Sequence, residues 1–200
     1  MIGIWCSFYS ISIDYTQKFC SKRNKMSYQK PYKGLKVIDF SQGVAGPYCA
    51  MLLAQQGAEV IKIEPKDGDW ARSLGQEYGE HSAFSVAANL GKKSIVVDLK
   101  NTKSQSILDK IIKQSDIFIE GFRPGVIKRL GYDYERLKKV NSKLIYLSIS
   151  GFGQNGPMSS KPAMDPVLQA FTGFMSENKG PDDIPHRTPV IIFDMATALY

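Results

Sequence analysis

Apolar positions along this chain fall into short β-branched runs separated by stretches with helical spacing. That alternation is the mark of βαβ units and a parallel sheet. Val37-Ile-Asp-Phe40 reads as a first strand, Val60–Ile63 as a second, Ser94–Leu99 as a third, Ile117–Ile119 as a fourth and Leu144–Ile149 as a fifth. Gly43-Val-Ala-Gly-Pro47 reads as a turn that places Pro47 at the first position of a helix running to about Gln56, with Gly57 ending it. After the third strand, Ile107, Leu108, Ile111 and Ile112 share one helical face. A helix near Tyr134–Val140 leads into the fifth strand, and Val167–Phe174 reads as another. Val190–Phe193 reads as a sixth strand that delivers Asp194 to the start of a final helix. The fold class is therefore α/β, a parallel sheet flanked by helices. Right-handed crossovers bring the carboxyl ends of the strands to one edge, where ligands of open α/β sheets bind.

Charge changes the picture less than its total suggests. The net charge is +7, but residues 1–33 carry Lys18, Lys22, Arg23, Lys25, Lys30 and Lys33 against Asp14 alone, so only +2 is left for the remainder. A body so nearly balanced is no nucleic-acid footprint, while a small basic excess suits an anionic small ligand. Apolar content of 43% and charged content of 22% are those of a globular protein, and no apolar run is long enough for a membrane span. Cys6, Cys20 and Cys49 are odd in number and widely spaced, which fits reduced thiols in a cytoplasmic compartment and offers no zinc site. Residues 1–25 open without basic residues and lack a cleavage site, unlike a secretory signal. Met26-Ser-Tyr-Gln-Lys-Pro-Tyr reads as the natural start, which makes residues 1–30 an extension and 31–200 the folded domain.

Candidate chemistry sits at the ends of strands. A carboxylate at a helix N-terminus stays ionised because free N–H groups and the positive dipole end favour its charge, which suits Asp194 as a nucleophile, although an ordinary cap reads the same way. Asp165, between Met164 and Pro166, likewise reads as a cap. The turn at 43–47, with Glu64 closing the second strand, matches a dinucleotide fingerprint poorly, since its glycines are Gly43-x-x-Gly46 and Pro47 deletes an N–H. It either cradles a ligand or simply closes a βα unit. Gly121-Phe-Arg-Pro-Gly125 leads into Lys128 and Arg129, and Lys92-Lys93 precede the third strand. Each of these cations alone reads as solvated surface, but as a set they suit a phosphate. Basic residues early in a helix oppose its dipole, so Arg129 points to a purpose other than helix stability. The loop from Ser150 to Pro157 is glycine-rich enough for close approach of a substrate to the backbone. His81 and His186 have no partner at triad or metal spacing.

These segments in order resemble the class III CoA-transferases, from about Gly34 to Tyr200. The resemblance rests on Gly34-Leu-Lys-Val-Ile-Asp-Phe-Ser with Ala45-Gly-Pro47, Gly57-Ala-Glu-Val-Ile-Lys-Ile-Glu64, Gly68-Asp-x-x-Arg72, Asn89-x-Gly-Lys-x-Ser94, Phe122-Arg-Pro-Gly125, Arg129-Leu-Gly131, Ile149-Ser-Gly-Phe-Gly-Gln154, Gln169-Ala-x-x-Gly173 and Asp194-x-x-x-x-Leu199. It implies the N-terminal half of a large Rossmann-like domain, with the small domain and the chain's return to the large domain absent. Subunits of the family interlock as homodimers. By the same resemblance Asp194 is the nucleophile that attacks an acyl-CoA thioester to give an anhydride and then an aspartyl-CoA thioester. Asp165 is a supporting acid beside it. Val44 and Ala45 face the thioester end of CoA, Val97, Phe122 and Arg129 contact CoA, and Arg72 and Lys92 are further contacts. CoA thioesters enter as substrates, and neither a metal nor a resident cofactor is implied. Val44, Pro65 and Pro162 replace the Gln, Arg and Lys of formyl-CoA transferases, which argues against that specificity. Succinyl-CoA with a small dicarboxylate or hydroxy acid is the implied pairing. Related 2-methylacyl-CoA racemases carry His-Asp where this chain has Met164-Asp165, so racemisation lacks a base; a non-catalytic nucleotide-binding domain is a further alternative. The implied location is the cytoplasm, or the mitochondrial matrix in a eukaryote. The 200-residue chain alone is expected to be inactive.

Overall fold

The computed structural model describes residues 30–200, so the expectations for residues 1–29, including the Met26 start, lie outside the described residues. Strand β1 (Lys36–Asp39) leads through a glycine turn into helix α1 (Ala45–Gln55), and β2 (Glu59–Glu64) follows. A 3₁₀ turn at Trp70–Ser73, a short hairpin of β3 (Glu77–Tyr78) and β4 (His81–Ser82), and helix α2 (Ala83–Ala87) come next. Strand β5 (Lys93–Val96) precedes α3 (Thr102–Lys113), and β6 (Ile117–Glu120) precedes the short α4 (Val126–Arg129) and α5 (Tyr134–Val140). Strand β7 (Ile145–Ser148) is followed by α6 (Asp165–Phe171), α7 (Phe174–Glu177) and α8 (Ile192–Leu199).

The main sheet has the order β5-β2-β1-β6-β7, and every pairing in it is parallel. Period-two alternation sorts its side chains onto two helical layers. Val37, Val60 and Ile119 pack with Ala50 of α1 on one face. Ile38, Phe40, Ile63 and Phe118 pack with Leu108 and Ile112 of α3 and Leu137 of α5 on the other. Ile107, expected on the buried face of α3, is exposed. The strand order reverses between β1 and β6, and their carboxyl ends open the crevice that such sheets use for ligands. Among the described residues no helix is long and apolar enough to cross a membrane.

Three local expectations need correction. Pro47 occupies the third position of α1, not the first, because the helix already begins at Ala45; its missing N–H still belongs to the uncapped first turn. The helix expected over 167–174 starts at Asp165 and breaks at Gly173, whose φ of +79° leads into α7. The expected sixth strand at Val190–Phe193 does not form: α8 begins at Ile192, so Asp194 sits inside a first helical turn instead of preceding it.

Candidate active site

A cleft of about 380 Å³ lies at the carboxyl edge of the sheet, between the turn after β1, the segments after β6 and β7, and the N-termini of α6 and α8. Its lining includes Val44, Ala45, Asp165 and Asp194, so the structure brings these four predicted residues together. Two glycines let the turn after β1 come so close. Gly43 has φ +83°, in the left-handed region, and a Cβ there would meet the Trp70 ring. A Cβ on Gly46 would lie 2.3 Å from the Ser41 side chain, so only glycine lets α1 start against that turn.

Asp165 is buried at the first position of α6 and does not cap its own helix. Its Oδ2 accepts the N–H of Phe193 at 2.6 Å and of Asp194 at 3.1 Å, while its Oδ1 accepts Gln169 Nε2 at 2.5 Å. It therefore caps the first turn of α8 from 29 residues away. The same contact corrects the expectation that the helix end keeps Asp194 ionised. The amides that would favour its charge are spent on Asp165, and burial followed by the Asp165 charge pushes the Asp194 carboxyl up to about 6.

The turn is anchored from below by a buried network of charges. Lys62 Nζ lies 2.7 Å from Asp69 Oδ2 and donates to the Ser41 carbonyl at 3.0 Å. Asp69 Oδ1 accepts the N–H of Gly43 and of Ala71, both at 2.9 Å. Asp39 accepts the backbone N–H and hydroxyl of Ser41. Burial raises the Asp39 carboxyl, but Lys92 and Lys62 override it and hold it below its ordinary value. The sequence reading missed this network, although Asp39 and Lys62 inside apolar strand runs were its visible signal.

Lys92 and Arg72, expected among the CoA contacts, belong to that network. Lys92 Nζ is buried and donates to Asp39 Oδ2 at 2.6 Å, Pro47 O at 2.7 Å and Asn89 Oδ1 at 2.8 Å. An ammonium has three donors, so none remains for a phosphate. Burial lowers the Lys92 ammonium to about 8 against the pull of Asp39. Arg72 holds Glu64 with Nε at 3.0 Å and Nη2 at 2.9 Å, and its Nη1 donates to His81 Nδ1 at 3.0 Å. Burial raises Glu64, but Arg72, the Ser94 hydroxyl and the Asp69 N–H together hold it down at about 2. Both cations line a second cleft of about 280 Å³ beside β2 and β5.

Val97, Phe122 and Arg129 line neither cleft. Val97 and Phe122 pack on the α3–α5 side of the core, Phe122 edge-on to Phe40. Arg129 is exposed at the last position of α4, where a cation complements the helix dipole; the expected conflict with the dipole disappears because the helix is only four residues long. Arg187 and Trp70 are site features that the sequence did not single out, and it marked Gln169 only within the Gln169-Ala-x-x-Gly173 match, without a role. Arg187 is the one cationic side chain lining the main cleft among the described residues.

Comparison with known proteins gives the same direction as the geometry. The chain is 43% identical over 158 residues to the acetyl-CoA:oxalate CoA-transferase of Acetobacter aceti, an alignment covering 78% of this chain and 41% of that protein. It is 38% identical over 178 residues to the succinate–glutarate CoA-transferase of Agrobacterium fabrum, covering 85% of this chain and 44% of that protein. The crystal structure of a CaiB/BaiF family protein from Brucella suis superposes with a TM-score of 0.80 at 35% identity, over 85% of this chain and 46% of that one. The chain thus spans less than half the length of these relatives. The model of CoA-transferase family III matches residues 32–200, and the chain belongs to that family.

Proposed function

We propose that the protein carrying this chain transfers CoA from an acyl-CoA donor, such as succinyl-CoA, to a carboxylic acid acceptor by covalent relay on Asp194. The observation that carries the reading is a half-buried carboxylate raised to about 6 on the wall of a cleft that it shares with the Val44–Ala45 turn. A carboxylate with that affinity for a proton is more nucleophilic than an ordinary one, yet still ionised at neutral pH. One Asp194 oxygen attacks the thioester carbonyl, the C–S bond breaks, and CoA thiolate leaves an aspartyl–acyl anhydride. The thiolate attacks the aspartyl carbonyl, releases the donor acid and leaves an aspartyl-CoA thioester. The acceptor carboxylate then displaces the thiolate, which returns to the acceptor's carbonyl and frees Asp194. No net proton transfer is needed, so a cleft without a histidine suffices. Water must be kept out, since an anhydride hydrolyses readily.

Arg187 supports a carboxylate as acceptor, because the cleft otherwise presents only acidic and neutral side chains to an anion. The names of the relatives, which pair CoA with oxalate, succinate and glutarate, favour a small dicarboxylate. Met164 beside Asp165 has no proton to exchange, which favours transfer over racemisation. By family, the working form is an interlocked homodimer in the cytoplasm or mitochondrial matrix. Hydroxylamine added during turnover of succinyl-CoA should convert Asp194 to a hydroxamate detectable by peptide mass spectrometry, and Asp194→Ala should abolish both label and transfer. Turnover that leaves Asp194 unmodified defeats the proposal.

A further inference from the structure

Gln169 lies in α6 with 1% of its surface exposed, on a face where an aliphatic side chain would fill the same space. Burying a carboxamide costs free energy unless each of its groups is partnered. Here each is, and every partner belongs to the machinery around Asp194. Its Nε2 donates to Asp165 Oδ1 at 2.5 Å and to Val190 O at 3.2 Å, with Thr188 O at the 3.5 Å limit, and its Oε1 accepts the Thr188 N–H at 2.9 Å. Residues 188–190 are the segment that enters α8, and Asp165 is the cap of its first turn. One side chain therefore ties both the entry and the cap of the helix that presents Asp194. We propose that Gln169 is a positioning residue for Asp194: it fixes Asp165 as the cap of α8 and pins the chain entering that turn, so that the Asp194 carboxylate is held toward the cleft. The catalytic half of this inference rests on the nucleophile reading given above.

Two variants separate positioning from plain stability. Gln169→Met keeps the volume and removes every hydrogen bond. Gln169→Glu keeps an oxygen for the Thr188 N–H and removes the Nε2 donor to Asp165 and to the Thr188 and Val190 carbonyls. Both should speed amide hydrogen exchange at Phe193 and Asp194 at least tenfold over the rest of the chain, a readout that needs no activity. In single-turnover acylation both should slow labelling of Asp194 by about 100-fold, the scale of a roughly 1 Å misplacement. The acyl-CoA KM should stay within about threefold of wild type, because uniform binding is untouched. Unchanged exchange at those two amides in either folded variant overturns the inference. So does wild-type acylation accompanied only by a raised KM. A wild-type protein that is never acylated at Asp194 defeats the nucleophile reading instead, while the exchange result still judges the positioning.

Discussion

The raised carboxyl of Asp194 costs the folded state stability at neutral pH, and the sign of that cost follows from the direction of the shift. A folded-state value of about 6 against an ordinary 3.8 means that the native protein binds the proton more tightly than the unfolded chain. The stabilisation from that proton is complete below the ordinary value and is lost as pH rises through 6. Asp194→Asn, neutral at every pH, should therefore melt a few degrees above wild type at pH 7.5, with the gap closing by pH 4 in a thermal scan. An equal gap at both pH values would refute the burial argument. Asp165 supplies the second cause of the shift. Asp165→Asn should move the acid limb of the transfer rate below 6, though not down to 3.8, since burial remains; pH–rate profiles in the two proteins test this. Asp194 was legible in the sequence because an acid followed an apolar run. The direction of its shift was not, because the competing cap comes from Asp165, 29 residues earlier.

At the scale of elements, the five strands of the main sheet were legible because β-branched runs bounded by turn residues leave few alternatives. The Val190–Phe193 run failed by the same rule: its β-branched pattern is local, while the cap that starts α8 at Ile192 reaches across from α6. Lys92 failed for a related reason. A lysine before a strand reads as surface charge, yet β1 and the start of α1 surround it with Asp39 and the Pro47 carbonyl. The ion pair of Asp39 and Lys92 is buried, and removing one partner of such a pair leaves an uncompensated charge. Lys92→Met should cost about 3–5 kcal/mol in denaturant unfolding. Asp39→Asn combined with Lys92→Met should recover much of that loss, as no stranded charge remains. A loss below about 1 kcal/mol for Lys92→Met would mark the pair as a surface-like bridge of little weight.

On the scale of the whole molecule, the helical layers cover the sheet unevenly. On the α1 face, Val37, Val60 and Ile119 of the three inner strands are buried. Edge strand β7 points the same way with Ile145 at 62% and Leu147 at 36% exposure, beside a groove of about 640 Å³ that reaches the C-terminal turn of α8. An exposed parallel edge with apolar residues on its face invites pairing with another surface. The 200-residue polypeptide should therefore associate at micromolar concentration in sedimentation velocity and bind a hydrophobic dye. Ile145→Lys combined with Leu147→Glu should restore a monomer and reduce dye binding without lowering the melting temperature by more than a few degrees, since neither side chain is in the core. Association that is indifferent to this pair would move the sticky surface elsewhere, with exposed Met164 on the lining of the candidate cleft and exposed Phe171 at the end of α6 the next to vary.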